Sequence, residues 1–166
     1  MYYLLDASAL LNNPAFRFDA LNEYYLSSDV LAELKDFESR HRIDGLIHGK
    51  LLKVSEPLKE SLKKVELEVQ KDNSNLSKAD KSILALALDF QAEGKNFVLL
   101  TDDYSIQNHC LKLKIRFQSI LRDEVKKKVL WLKKCPNCKK TFPSSFNLID
   151  CPDCNLKLKR LQKTVK

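Results

Sequence analysis

The sequence predicts an α/β protein, a parallel sheet flanked by helices, followed by a small module built on four cysteines. Short apolar runs at Tyr2–Leu5 and Phe97–Leu100 alternate with longer amphipathic segments, the pattern of strands joined by crossover helices. Acids follow those runs at Asp6, Asp102 and Asp103, the edge where open α/β sheets bind ligands. The module is announced by Cys135-Pro-Asn-Cys138 and Cys151-Pro-Asp-Cys154, two CxxC pairs with 12 residues between them.

The remaining elements follow in chain order. Tyr2–Leu5 reads as a central strand carrying Asp6 at its end, and residues 7–11 as a helix or turn broken by Asn12, Asn13 and Pro14. Residues 24–26 suit a second strand. Ser27, Ser28 and Asp29 offer N-caps for one helix through VLAELKDFESR. On that helix Glu33 shares the apolar side of Val30 and Phe37, where a carboxylate calls for a cationic partner or a function. Residues 43–61 read as amphipathic helix interrupted by Gly45, Gly49 and Pro57, and residues 65–69 alternate as a half-exposed strand. Residues 71–75 form a polar turn.

Ser77 then caps a covered helix with Asp80 at the capping-box spacing, Gly94 ends it, and Phe97–Leu100 is an interior strand. A helix over Tyr104–Leu113 and a short edge strand at 115–117 complete the domain. His109 and Cys110 read as packing residues, because no partner spacing supports a ligand role.

Length and composition bound the function classes. The chain has 166 residues, 44% hydrophobic and 31% charged, which fits one ordinary domain plus an appendage. No apolar run approaches the roughly 18 residues that span a membrane, and no leader pattern opens the chain, so a cytoplasmic protein without a membrane partner is expected. In that compartment paired cysteines point to metal before disulfide. The net charge of +7 is uneven: residues 1–125 hold 17 Lys+Arg against 20 Asp+Glu, and residues 126–166 hold 12 against 2. Such a basic tail suits a polyanion, most often nucleic acid.

Asp6, Glu33, Asp80, Asp102 and Asp103 each have a structural reading as cap, turn or salt-bridge partner. Gathered on one sheet edge, they repel one another and suit hard divalent ions, Mg²⁺ or Mn²⁺, which support phosphodiester hydrolysis. LLDASAL (4–10), VLAEL (30–34), LSKADKSILALA (76–87) and LLTDDYSIQN (99–108) resemble, in order, the motifs of PIN-domain nucleases. The resemblance covers roughly residues 1–120. It implies a flavodoxin-like fold and a metal-dependent ribonuclease with Asp6, Glu33 and Asp80 in its acidic cluster. Asp103 matches the family's Thr-x-Asp position, and Asp102 ranks second as an additional ligand or water-orienting group.

The cysteines can close a tetrahedron around one structural Zn²⁺, and a module this small needs its metal to fold. Lys139 and Asn155 stand after the second cysteine of each pair, where ribbon turns need positive φ. Lys133, Lys134, Lys139, Lys140, Lys157, Lys159 and Arg160, with Lys163 beyond, are candidate RNA contacts. Trp131, Phe142 and Phe146 either fill the ribbon's core or stack on bases.

The expected organisation is a nuclease domain over 1–123, a linker over 124–130, a ribbon over 131–160 and a basic tail over 161–166. With FQSILRDEV, LWLKKCPNC and LKLKR added, the whole resembles the Nin-one-binding endoribonucleases of ribosome maturation in their short archaeal form. That resemblance implies cleavage of precursor small-subunit rRNA at its mature 3′ end, with the small-subunit precursor and assembly factors as partners. A toxin-like PIN ribonuclease and a non-catalytic rRNA-binding assembly factor are the alternatives.

Overall fold

A computed structural model describes residues 1–11, 16–72, 74–120, 128–143 and 149–165. The expected break at residues 12–14, Phe146 and residues 124–127 of the expected linker lie outside them. The first unit runs β1 (Tyr2–Leu5), α1 (Ala7–Leu11), β2 (Glu23–Leu26), α2 (Ser28–Glu33), α3 (Phe37–His48), β3 (Leu52–Val54), α4 (Lys59–Asp72), α5 (Lys78–Ala92), β4 (Phe97–Leu100), α6 (Tyr104–Leu113) and β5 (Phe117–Gln118). Its sheet has the order β3-β2-β1-β4-β5, parallel throughout. The chain leaves β1 toward β2 and β3, then crosses back to β4 on the other side. The switch point of this α/β sheet therefore lies between the carboxyl ends of β1 and β4.

Leu4, Leu5, Leu26, Leu99 and Ile83 are fully buried, so the central strands and α5 carry the core. The α5 helix has the expected capping box from Ser77 and Asp80. It stops in a Schellman turn, with Gly94 at φ +67° and the Lys95 amide donating to the Phe90 carbonyl at 3.0 Å.

Four expectations are corrected. Residues 65–69 are helical within α4, which also absorbs part of the expected turn at 71–75. Val65 and Val69, four apart, are buried with one helical face, whereas Leu67, which a strand would place beside them, is 57% exposed. The alternation fits both periods, and helical packing decides it. The stretch 43–61 contains β3, where Leu52 alone is fully covered, so three residues left no periodic signal. Lys50, at φ +58°, turns the chain out of α3 into that strand. The helix expected through VLAELKDFESR is two helices, because Leu34 leaves helical geometry and Asp36 caps a fresh helix by accepting from the Ser39 amide at 2.8 Å.

The second unit is a three-stranded antiparallel sheet, order β7-β6-β8, with β6 (Lys128–Lys134), β7 (Thr141–Pro143) and β8 (Lys159–Val165). Here β6 begins inside the expected linker and β8 occupies most of the expected tail. That is the fourth correction: Lys128↔Val165 pairing extends the ribbon in both directions.

Candidate active site and cysteine cluster

The acidic site grows from the ends of β1 and β4. The Asp6 amide still donates to the Leu100 carbonyl at 3.1 Å, so Asp6 stands at the last rung of that pair. Its carboxylate is only 3% exposed. Oδ1 accepts from the Ala7 amide at 2.7 Å, while Oδ2 accepts from Ser8 Oγ at 2.6 Å and Thr101 Oγ1 at 2.9 Å. Both hydroxyls also reach β4's exit: Ser8 Oγ accepts from the Asp102 amide and Thr101 Oγ1 from the Asp103 amide, at 2.9 and 3.1 Å. Asp6 is thereby fixed across the switch point by two bridging hydroxyls. Ser8 and Thr101 lie within the LLDASAL and LLTDDYSIQN motifs, which give them no such task, although an Asp-x-Ser spacing is itself a signal for such a turn.

Burial pushes the Asp6 carboxyl above the ordinary carboxylate range, and the charge of Asp80 adds to the rise. The hydrogen bonds from Ser8, Thr101 and Ala7 pull the other way without cancelling it. Asp80 is half-buried in the first turn of α5, where Oδ2 accepts from the Ser77 amide at 2.8 Å. It therefore caps its helix and also faces Asp6 electrostatically.

A buried pair of hydroxyls sets the α5 and α2 starts side by side. Ser27, the N-cap of α2, bonds Ser82, whose own hydroxyl donates to the Ala79 carbonyl at 2.8 Å. The exposed Lys78–Asp29 pair adds a second tie.

Glu33 is the last residue of α2 and is exposed. The expected core-facing position is therefore corrected: the break at Leu34 turns the chain before an apolar side including Phe37 can form. No ion pair of the described residues includes Glu33, so the salt-bridge reading does not account for it.

Asp103 is half-buried and caps α6, accepting from the Ser105 amide at 2.6 Å. Asp102 differs from it. It is 1% exposed, and Oδ1 accepts from Ser119 Oγ at 2.6 Å and the Ile120 amide at 2.9 Å. Asp102 thus clamps the chain leaving β5.

Three further polar residues are structural. His109 is buried between the Ser105 carbonyl and Ser74 Oγ, and Cys110 is fully covered with its thiol pushed up by burial. Asp89, which the sequence reading passed over, accepts from the Leu58 amide and Ser61 Oγ, capping α4 from a neighbouring helix.

Cys135, Cys138, Cys151 and Cys154 form a different kind of site. Their sulfurs lie within 4.8 Å of one another, the one such gathering of three or more metal-ligating side chains among the described residues. The acids are not drawn to that spacing. Each knuckle closes through a backbone bond, the Cys135 amide to the Lys140 carbonyl at 3.0 Å and the Cys151 amide to the Leu156 carbonyl at 2.9 Å. Lys139 and Asn155 have φ of +61° and +51°, the conformation expected after each second cysteine. Burial raises the Cys135 thiol, but the amides of Cys138 and Asn137 and the neighbouring thiols outweigh it and hold it at about 7. Cys151 is pushed up, by burial first and by the Cys138 and Cys135 thiols next. Four thiols so arranged can bind one metal ion.

The basic candidates surround this cluster. Lys133 lies opposite Arg160 and Lys134 opposite Lys159 across the β6–β8 pair, with Phe142 opposite Lys133 on β7. Like charges directly opposite weaken a sheet, and an anion lying over them relieves the repulsion. Lys139 bonds the Pro136 carbonyl and Lys140 pairs with Asp153 at 2.6 Å, tying the two knuckles together. Lys157 is exposed just beyond. Phe142 is half-buried, while the side chains of Trp131 and Lys163 lie outside the described residues.

Comparison with known proteins decides the family. Residues 3–90 match the PIN domain of ribonuclease. Endoribonuclease Nob1 of Methanocaldococcus jannaschii is 39% identical over 161 residues, covering 95% of this chain and 76% of its own length. The chain belongs to the Nob1 endoribonuclease family. Endoribonuclease Nob1 of Pyrococcus abyssi is 33% identical over 162 residues, covering 96% of this chain and 97% of its own. Ribonuclease VapC1 of Thermoplasma acidophilum is 34% identical over 162 residues, covering 96% and 78%. As a PIN-domain member of the Nob1 family, the protein is a divalent-metal-dependent nuclease that hydrolyses RNA phosphodiester bonds. The expected fold class and enzyme class are both borne out.

Proposed function

We propose that the protein cleaves precursor small-subunit rRNA to form its mature 3′ end, in the cytoplasm and on the small-subunit precursor with its assembly factors. The observation that carries the catalytic part is Asp6, buried at the β1–β4 switch point in a cradle of hydroxyls with Asp80 facing it. Asp6, Asp80, Asp103 and Glu33 would hold one or two Mn²⁺ or Mg²⁺ ions, hard cations suited to carboxylate oxygens. When bound, such ions polarise the phosphate and make water a better nucleophile. The residues' own work is placement. Ser8 and Thr101 fix the Asp6 carboxylate, and the capping interactions of Asp80 and Asp103 hold their carboxylates on the edge where the strand must pass.

The four cysteines would hold one structural Zn²⁺, since thiolate donors in tetrahedral reach suit that ion and leave no place for substrate. Lys133, Lys134, Lys139, Lys140, Lys157, Lys159 and Arg160 would contact RNA phosphates, positioning the strand without reading its sequence. We place the nuclease unit before residue 124 and the ribbon from β6 to β8.

The experiment is cleavage of an RNA spanning the small-subunit 3′ end with Mn²⁺, comparing the protein with Asp6→Asn. One cleavage site, lost in the variant while RNA binding survives, is the expected result. Equal cleavage by both would move the active site elsewhere. Binding without cleavage by either would point to a nuclease that needs its ribosomal context to cut this RNA. The VapC1 relative aligns with 96% of the chain, so the ribbon does not by itself exclude a ribonuclease with another RNA target. A transcript-wide cleavage map separates that reading: many sites outside small-subunit rRNA would support it.

A further inference from the structure

We propose that the exposed side of α3 formed by Phe37, Arg40 and His41 is a stacking step for one unpaired nucleotide of the RNA substrate. The inference rests on the chain's RNA-cleaving activity, not on which acids hold the catalytic ions.

Phe37 begins α3 and is 84% exposed, an unusual setting for a phenyl ring. Arg40 and His41 lie three and four residues on, so all three side chains share one helical side. The Phe37 and His41 rings are parallel to within 4°, with centroids 6.1 Å apart. Together they present a flat, stepped π-surface to water. Its base is firmly seated, because Leu34 just before it is fully buried and Asp36 caps the helix through the Ser39 amide. The surface is therefore a preformed platform at a fixed helix start.

The occupant follows from what surrounds the rings. Lys35, Asp36, Glu38, Arg40 and Asp44 are all exposed. One flat aromatic face in a charged field lacks the contiguous apolar area that a protein partner would cover. A nucleotide needs less: a π-face for its base and a cation near its phosphate. Phe37 with His41 offers the first and Arg40 the second. The position also suits the substrate. Phe37 lies just past the α2–α3 break, four residues after Glu33, one of the acids proposed to hold the catalytic ions.

The test is binding of the full chain to a short single-stranded RNA without added Mn²⁺ or Mg²⁺, so that no acid's catalytic role enters the readout. 2-Aminopurine is placed at each position of the RNA in turn. One position should be quenched by the protein. Phe37→Ala and Phe37→Leu should both lose that quenching and bind roughly ten-fold more weakly, while Phe37→Tyr keeps both properties. All three should melt near the parent temperature, since the ring contributes little to the core. Parental affinity and quenching in Phe37→Ala would overturn the proposal, and so would full retention by Phe37→Leu, which keeps bulk but has no π-face. The acidic-site reading fails separately, through unchanged cleavage by Asp6→Asn.

Discussion

The cysteine cluster and the acidic edge both collect the donor types that cations take, yet the chain prepares them in opposite ways. The four sulfurs already lie within 4.8 Å of one another. The carboxylates stay apart, each with its own hydrogen-bonded duty: Asp6 in the hydroxyl cradle, Asp80 and Asp103 as caps. The contrast is electrostatic. Thiols can share protons and approach before a metal arrives, whereas ionised carboxylates repel and need separate partners until a cation brings them together. A thiol site is thus part of a fold, and a carboxylate site is stored within one.

The largest effect should come from breaking the thiol half. The proposed Zn²⁺ would tie the ribbon together through its four cysteines, and structural Zn²⁺ in small fingers contributes about 10–16 kcal/mol. Chelation, or Cys151→Ser at a fully buried ligand, should abolish amide protection across β6–β8 while leaving β1–β5 protected. Hydrogen exchange read by mass spectrometry separates the two units. Persistent protection of β6–β8 in chelator would show that hydrogen bonds alone hold the ribbon.

Breaking the carboxylate half should spare the fold and remove the chemistry. Asp6→Asn keeps the side chain's shape but supplies no charge, and cleavage should fall by on the order of 100-fold or more. Measured single-turnover rates with Mn²⁺ test this, and a loss of only a few-fold would demote Asp6 from the cluster.

These two sites also differed in how much of them could be read beforehand. The cysteines declared themselves through spacing, and even the positive φ at Lys139 and Asn155 followed from their places after each pair. The acids were legible as residues at strand ends and a helix start, because Asp6, Asp80 and Asp103 follow clear apolar runs or a cap. Glu33 was misplaced, since the helix break at Leu34 depends on tertiary packing that local periodicity cannot report. Ser8 and Thr101 adjoin the acids in sequence but gave no signal of their task, because their mutual contact joins residues 93 apart in the chain. The misread segment 65–69 and the missed β3 have one cause. Over three to five residues the periods of strand and helix coincide, and only the buried partners choose between them.

Those long-range hydroxyls allow a finer break. Thr101→Val removes the donor to Asp6 Oδ2 and the acceptor of the Asp103 amide while keeping the buried volume. Leaving such groups unpaired costs about 1–3 kcal/mol of stability. Outer partners of a metal ligand typically govern about 10–100-fold of affinity or activity. The apparent Mn²⁺ requirement should therefore rise by roughly ten-fold, with Thr101→Ser restoring it. Equal Mn²⁺ titrations for Thr101→Val and the parent would show that the cradle serves the fold alone.

The smallest effect is a pH dependence that only the carboxylate half should show. Asp6 has a pKa raised above its ordinary value of 3.8 by burial, with Asp80 adding to it. Protonated Asp6 therefore favours the folded state. That contribution is complete below 3.8 and is lost as pH rises through the raised folded value, because the unfolded chain ionises first. A divalent cation binds the ionised carboxylate and offsets this loss. The rise in melting temperature on adding Mn²⁺ to the zinc-loaded protein should thus grow across the window above pH 3.8, then level off. Asp6→Asn should flatten the dependence, since the group that titrates is gone. The cysteine cluster cannot mimic the trend, because its lowest thiol, Cys135, sits at about 7 and its ligands are already metal-bound. An Mn²⁺ increment that grows equally in the parent and in Asp6→Asn would assign the titration to other acids and separate Asp6 from the cation.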